Sequence, residues 1–297
     1  MLIVGHTDTV AAGRMPRPFD GELSDGRIHG RGACDDKGPL AVALSVLIGL
    51  HREGEALAYD VTLAATTDEE GGMRGAKALA RAAGPFDLCI ALEPTSRRVV
   101  TEHKGVFRFV VAAEGRAAHS SRPQNGVNAV EAMLPIADRL LAYGRELSVP
   151  QDARLGRTTL TMTQLSGGTA PNVVPDHCEL TVDVRLLPEL DPAEVAQHIS
   201  RICGPGAAIR PLLSCRGIRS DPEIPAVQAL RDAVAREGGD PAPASAHYCT
   251  DCSQLAHLGP CVVWGPGDIA LAHTEEESIE LAEIEAGCRT LWRFLHG

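Results

Sequence analysis

The chain has 297 residues, of which 44% are hydrophobic and only 3% aromatic, and a formal net charge of -11. This is enough apolar material for one large or two ordinary folded domains, and it excludes the basic, aromatic-lined surface that nucleic-acid binding requires. The longest apolar run, near Leu40 to Leu50, is too short to cross a bilayer, Met1 is followed by no charged leader, and the nine cysteines follow no framework spacing; a cytoplasmic protein with reduced thiols and no membrane partner is therefore expected.

The first hundred residues alternate strand and helix. Leu2 to Gly5 reads as a buried strand, Gly38-Pro39 opens a helix reaching Leu50, and Val61 to Thr66 is a second strand. Glycines 71, 72 and 75 lead into an alanine-rich helix, and Leu88 to Leu92 has the uninterrupted apolar character of a strand covered on both faces. From about Lys104 the style changes. Val106 to Ala112, a long helix over Asn125 to Leu147, strands at Thr158 to Leu165 and Cys178 to Leu186, a helix over Asp191 to Ile202 and a strand at Ala208 to Leu213 spell β-α-β-β-α-β, the ferredoxin-like order. After Pro225 the α/β pattern resumes, with a helix to Arg236, a strand at Cys261 to Trp264 and a closing helix from Ser278. The fold class expected is α/β: a catalytic domain of residues 1–104 and 214–297, helices on both faces of a mixed sheet, interrupted by an α+β insert of residues 105–213. Cys249 and Cys252 form a C-x-x-C with no second pair beside it, and are read as ordinary thiols.

Acidic and histidine residues collect just after the strands of the split domain: His6 and Asp8, then Asp35 and Asp36 in GRGACDDKG, Glu69 and Glu70 in TTDEEGG, Glu93 in ALEPT, and His273 in GPGDIALAHTEEES. Taken singly, each segment reads as a polar loop. In an open α/β sheet, however, the carboxyl ends of the strands border one crevice, where such segments converge. Two histidines with three or four carboxylates suit a dinuclear zinc site in which one carboxylate bridges the ions. Two cations about 3.5–4 Å apart acidify a shared water and polarise a carbonyl, which is the chemistry of amide hydrolysis.

GHTDTV, GRGACDDKG, TTDEEGG, EPT and GPGDIALAHTEEES, in that order around an insert, resemble the zinc amidohydrolase family that includes acetylornithine deacetylase, succinyl-diaminopimelate desuccinylase, aminoacylase and glutamate carboxypeptidase. The resemblance runs through nearly the whole chain. It implies that His6 and Glu93 hold one metal, Glu70 and His273 the other, and that Asp35 bridges them, while Asp36 is a solvated or helix-capping carboxylate. The resemblance also implies that Asp8 accepts a hydrogen bond from the second ring nitrogen of His6, and the i, i+2 spacing, which puts both side chains on one side of an extended segment, allows it. Glu69 is expected to be the general base and then acid, with Gly71 and Gly72 supplying the backbone freedom that splays the glutamate pair. Two zinc ions are the implied cofactor; cobalt or manganese fit the same donors.

In the insert, the resemblance implies that His119 in GRAAHSSRP stabilises the oxyanion across a homodimer, and that Asn172 in GGTAPNVVPD and Arg185 in VDVRLLP hold substrate carboxylate or carbonyl groups. Gly265 and Gly267 of GPG are similar to the loop near the substrate's α-carboxylate. Family members carry a helix and at least one strand before the H-x-D-T strand, whereas Met1 here is five residues before His6; a sheet edge with unpaired backbone and exposed apolar surface is expected. The expected substrate is an N-acyl amino acid of the acetylornithine deacetylase type. A desuccinylase, a dipeptidase or glutamate carboxypeptidase acting on a short peptide, and an inactive, truncated metal- or partner-binding remnant are the alternatives.

Overall fold

A computed structural model describes residues 1–297. The chain divides into two compact units: Met1–Glu102 with Ile218–Ala246 and Thr250–Gly297, and His103–Gly217 with His247–Cys249. The expected insert, 105–213, falls inside the second.

The first unit is built on a seven-stranded sheet. Leu2–His6 lies between Thr62–Thr66 and Cys89–Ala91, and Cys89–Ala91 pairs in turn with Cys261–Val263, all in parallel. These four strands therefore end on the same side. Val100–His103 joins antiparallel to Cys261–Val263, with Ile218–Arg219 and Ala244–Ala246 beyond it. Leu2, Ile3, Val4, Ile90 and Val262 are buried because helices cover both faces of the central strands, which is why the sequence shows no alternation there. On one face Lys37–Glu53 packs against Leu281–His296, which packs against Pro225–Arg236. Val42, Val46, Leu50, Leu230, Leu291 and Phe294 from these helices meet the sheet residues and Trp264 in one core. Each such side chain contributes about 1.5–3 kcal/mol by leaving water. Gly54 ends the first helix in the left-handed conformation at φ 70°.

Thr62–Thr66 is the sheet's open edge, and Leu44 and Ile48 lie exposed on the outer face of Lys37–Glu53. Two differences from the sequence reading stand out. Ser278–Glu280 is not helical; it pairs antiparallel with Arg27–His29, which pairs with Glu22–Ser24, and the closing helix is Leu281–His296. Strands of three residues are too short to leave a readable period.

The second unit is a four-stranded antiparallel sheet in the order Thr159–Gly167, His177–Leu186, Gly105–Glu114, Ala207–Cys215, with helices Ala129–Leu147 and Pro192–Cys203. Phe107, Phe109, Val111, Leu180, Val182 and Val184 alternate onto the helix-covered face, where they meet Met133, Leu140, Val195 and Ile199. Asn128 caps the long helix, accepting from the backbone N–H of Val130 and Glu131 at 3.0 and 3.2 Å. Asp191 caps the other, accepting from Ala193 at 2.9 Å with Pro192 at its first position. No helix is long and apolar enough to cross a membrane.

Candidate metal centre

The parallel strands deliver His6 as the last residue of its strand, Glu69 and Glu70 three and four residues beyond Thr66, and Glu93 two beyond Ala91. Asp35 arrives on the loop before the helix Lys37–Glu53, and His273 on the loop before Ser278–Glu280. Asp35 is the hub. Its Oδ1 lies 2.9 Å from Nε2 of His6, and its Oδ2 lies 3.1 Å from Nε2 of His273. The same His273 nitrogen is 2.9 Å from Oε1 of Glu70. Donor atoms of His6, Asp35 and Glu70 lie within 4.8 Å of one another, and so do those of His6, Glu69 and Glu93.

The charge balance of this cluster is lopsided. His6, Asp35, Asp36 and Glu93 are all buried, and Glu69 and Glu70 are half-buried beside them. Burial, reinforced by neighbouring carboxylates, holds Asp36, Glu69 and Glu93 well above the usual carboxylate range. Burial opposes protonation of His6, yet its hydrogen bond to Asp35 and the nearby Asp36 and Glu69 push it up to about 10. His273, hydrogen-bonded to Asp35 and Glu70, is likewise raised to about 10. The positive charge on the two imidazoles comes from protons that the neighbouring carboxylates hold there. Divalent cations fit the set better: each oxygen of Asp35 faces a different imidazole, and a carboxylate stands beside each imidazole. Asp36 Oδ1 and Asp251 Oδ1 are also buried without a hydrogen-bond partner, and burial raises both carboxyls above their ordinary range.

Three sequence expectations are corrected here. His6 Nδ1 donates to the backbone oxygen of Asp8 at 3.0 Å, not to its carboxylate, whose nearer oxygen is 3.6 Å away. That carboxylate turns outward along the next loop and accepts the backbone N–H groups of Glu69 and Glu70, each at 3.2 Å. The carbonyl, not the expected carboxylate, orients the His6 ring, and the Asp8 carboxylate instead holds the backbone of the glutamate pair. Asp36 is neither solvated nor capping: it is fully buried, and its Oδ2 accepts the backbone N–H of His6 at 3.1 Å. Gly71 and Gly72 do not carry the unusual backbone, which falls on Asp68 at φ 66° and Met73 at φ 53°. The glycines leave room, since a Cβ on either would stand 2.9 Å from the Asp68 carboxylate.

Gly265 and Gly267 are buried after the strand Cys261–Val263. Gly267 adopts φ +98°, and a Cβ there would meet Cys34 Sγ at 2.8 Å. In the second unit, His119 and Asn172 are exposed on adjoining segments, where Ser120 N–H donates to the Asn172 carbonyl at 2.9 Å. His119 Nδ1 accepts from Ser121 N–H at 3.1 Å. Arg185 is the penultimate residue of the strand His177–Leu186, its Nε donating to Asp183 at 2.7 Å.

Sequence reasoning passed over Asp251, Glu277 and Arg31. Asp251 is buried and accepts from Thr66 Oγ at 2.7 Å. Glu277 and Arg31 form a buried ion pair. The only signal for Glu277 was its place four residues after His273, inside a glutamate run that reads as solvated.

Residues 2–297 match Peptidase family M20/M25/M40. The chain belongs to this family. An acetylornithine deacetylase of Edwardsiella ictaluri is 31% identical over 316 residues, covering 100% of this chain and 79% of its own length. A putative succinyl-diaminopimelate desuccinylase of Mycobacterium tuberculosis is 32% identical over 306 residues, covering 100% of this chain and 82% of its own. The M20 metallo-carboxypeptidase Sso-CP2 of Sulfolobus solfataricus shares the fold, with a TM-score of 0.83 at 18% identity over 99% of this chain and 84% of that one. As an M20 enzyme the chain is a metal-dependent hydrolase of amide bonds. Its divalent-metal requirement accords with the buried carboxylate and imidazole cluster.

Proposed function

We propose that this M20 hydrolase removes the acyl group from an N-acyl amino acid, in the manner of an acetylornithine deacetylase. The observation that carries the reading is Asp35 set between the two imidazoles, with Glu69 and Glu93 on the His6 side and Glu70 on the His273 side. In this reading His6 and Glu93 hold one ion, Glu70 and His273 the other, and Asp35 both. The imidazole and carboxylate donors would hold two divalent cations, proposed to be zinc, which when bound would supply Lewis acidity at the substrate carbonyl and lower the pKa of a water.

Glu69 takes the proton from that water as it attacks and delivers it to the departing amine. Glu69 is placed for this by lying with His6 and Glu93 while its neighbour Glu70 meets His273. Asp8 holds its backbone for this task. His119 donates to the oxyanion, Asn172 and the Arg185 fork take substrate carboxylate or carbonyl oxygens, and the Gly265 to Gly267 turn faces the substrate's α-carboxylate with the N–H of Gly267, that of Gly265 being held by Thr95 Oγ1 at 3.1 Å. Arg185 must then exchange or share its present partner Asp183.

A homodimer is proposed through the second unit. Thr159–Gly167 is an open sheet edge, and beside it runs a groove of about 390 Å³ lined by Val130, Leu134, Ala137, Met162 and Leu165. Leu134 and Leu165 are 60% and 65% exposed, an arrangement that edge pairing with a second copy would cover. A cytoplasmic location is proposed from the nine free cysteines.

His119→Ala is expected to lower kcat by about 10²–10³-fold, the usual loss for one oxyanion donor, while leaving metal content and the oligomer unchanged. Metal analysis, sedimentation and initial rates check this; an unchanged kcat would remove His119 from the mechanism. The substrate class is tested by amine release from N-acetylornithine, N-succinyl-diaminopimelate and a dipeptide, compared by kcat/KM. The proposal requires the acetylated amino acid to lead, and a lead for either of the others would replace it.

A further inference from the structure

Glu277 is 1% exposed and touches none of the proposed ligands' donor atoms, yet its carboxylate is fully occupied. Oε1 accepts three backbone N–H groups of one loop: Gly32 at 3.0 Å, Cys34 at 3.1 Å and Asp35 at 3.0 Å. Oε2 accepts from Nη1 of Arg31, whose Nη2 donates to the carbonyl of Thr274 at 3.0 Å. The backbone oxygen of Glu277 accepts from Gly30 N–H at 3.1 Å. Its neighbours Glu275 and Glu276 are exposed, so burial of this one carboxylate is a feature of the position and not of the run.

These bonds join two particular loops. Asp35 is anchored by its own N–H, and Thr274 directly follows His273, which sits at φ 64°. Three N–H groups converging on one oxygen form a concavity for an anion, here filled by a side chain from the other loop. We infer that Glu277, with Arg31, is a positioning residue that clamps the Asp35 loop to the His273 loop and so sets the separation of the bridging carboxylate and the second histidine. The inference rests on reading Asp35 and His273 as metal ligands. Because the His273-side ion depends on both clamped loops, and the His6-side ion on only one, loss of the clamp falls mainly on the former.

The test is titration of metal-free protein with Co²⁺, followed by its visible absorption, on wild type, Glu277→Gln and Arg31→Met. Wild type should take up two equivalents. In Glu277→Gln, whose amide nitrogen repels the Arg31 guanidinium, the first equivalent should bind nearly as in wild type and the second about 10–100-fold more weakly, the usual cost of an outer partner. Excess Co²⁺ should return kcat toward wild type with KM unchanged. Arg31→Met keeps the three N–H contacts and loses the Thr274 link, so its second equivalent should weaken by a smaller factor. A folded Glu277→Gln protein that binds both equivalents with wild-type affinity, or loses both alike, overturns the inference. If that variant does not fold, an unchanged second equivalent in Arg31→Met overturns it instead. Failure of wild type to bind two equivalents overturns the ligand reading itself, which keeps the two outcomes apart.

Discussion

Glu69→Gln is expected to keep its metal and to lose turnover by about 10²–10⁴-fold, the range general acid-base catalysis supplies. The argument is geometric before it is electrostatic. Asp8 fixes the backbone of both Glu69 and Glu70 through separate oxygens of one carboxylate, so two adjacent side chains enter the cluster in different directions. Glu70 meets His273 at 2.9 Å, whereas Glu69 lies with His6 and Glu93. Glutamine matches glutamate in shape and can accept a hydrogen bond, but it cannot take a proton and return it. Metal analysis and initial rates on the same preparation separate the outcomes. Full metal with little turnover supports the base; loss of one ion would make Glu69 a ligand, and retained turnover would exclude both roles.

Asp35→Ala is expected to lose both ions at once and, with them, all measurable turnover. No other residue has an oxygen against each of the two imidazoles. Removing it takes away the group shared by the two halves of the cluster and leaves His6 buried without an anionic partner at Nε2. Each half is then left without the carboxylate oxygen that faces its imidazole, so neither half is expected to keep a complete donor set for a cation. Metal content by atomic absorption checks this directly. A variant that holds one full equivalent would show that the two halves bind independently, and one that holds two would exclude Asp35 as the bridge.

What the sequence discloses and what it hides follow different physics. The strands Leu2–His6, Cys89–Ala91 and Cys261–Val263 are legible because parallel strands covered on both faces must be apolar throughout. The gathering of His6, Glu69, Glu70 and Glu93 is legible because each ends or follows a parallel strand, and parallel strands must end on one side. The direction of a side chain beyond a strand end is a different matter. The expectation of a solvated or helix-capping Asp36 fails because nothing in Asp-Asp tells which of the two side chains is sealed beneath His6. The resemblance and the i, i+2 spacing both point the Asp8 carboxylate at His6, but the Asp8 carbonyl satisfies the ring and leaves the side chain for the next loop. Glu277 was hidden for the opposite reason: its chemistry is that of a surface glutamate until three N–H groups from a loop some 240 residues away in sequence close on it. Short strands such as Glu22–Ser24 and Arg27–His29 leave no period to read.

The most direct test of the account is the metal stoichiometry of the purified wild-type chain, measured with release of free amine from N-acetylornithine in the same sample. The account predicts two divalent ions per chain, turnover that disappears when they are removed by chelation, and turnover that returns when two equivalents of zinc are restored. Amide hydrolysis at a single equivalent, with no gain on adding the second, would contradict a site built around Asp35 as the shared ligand.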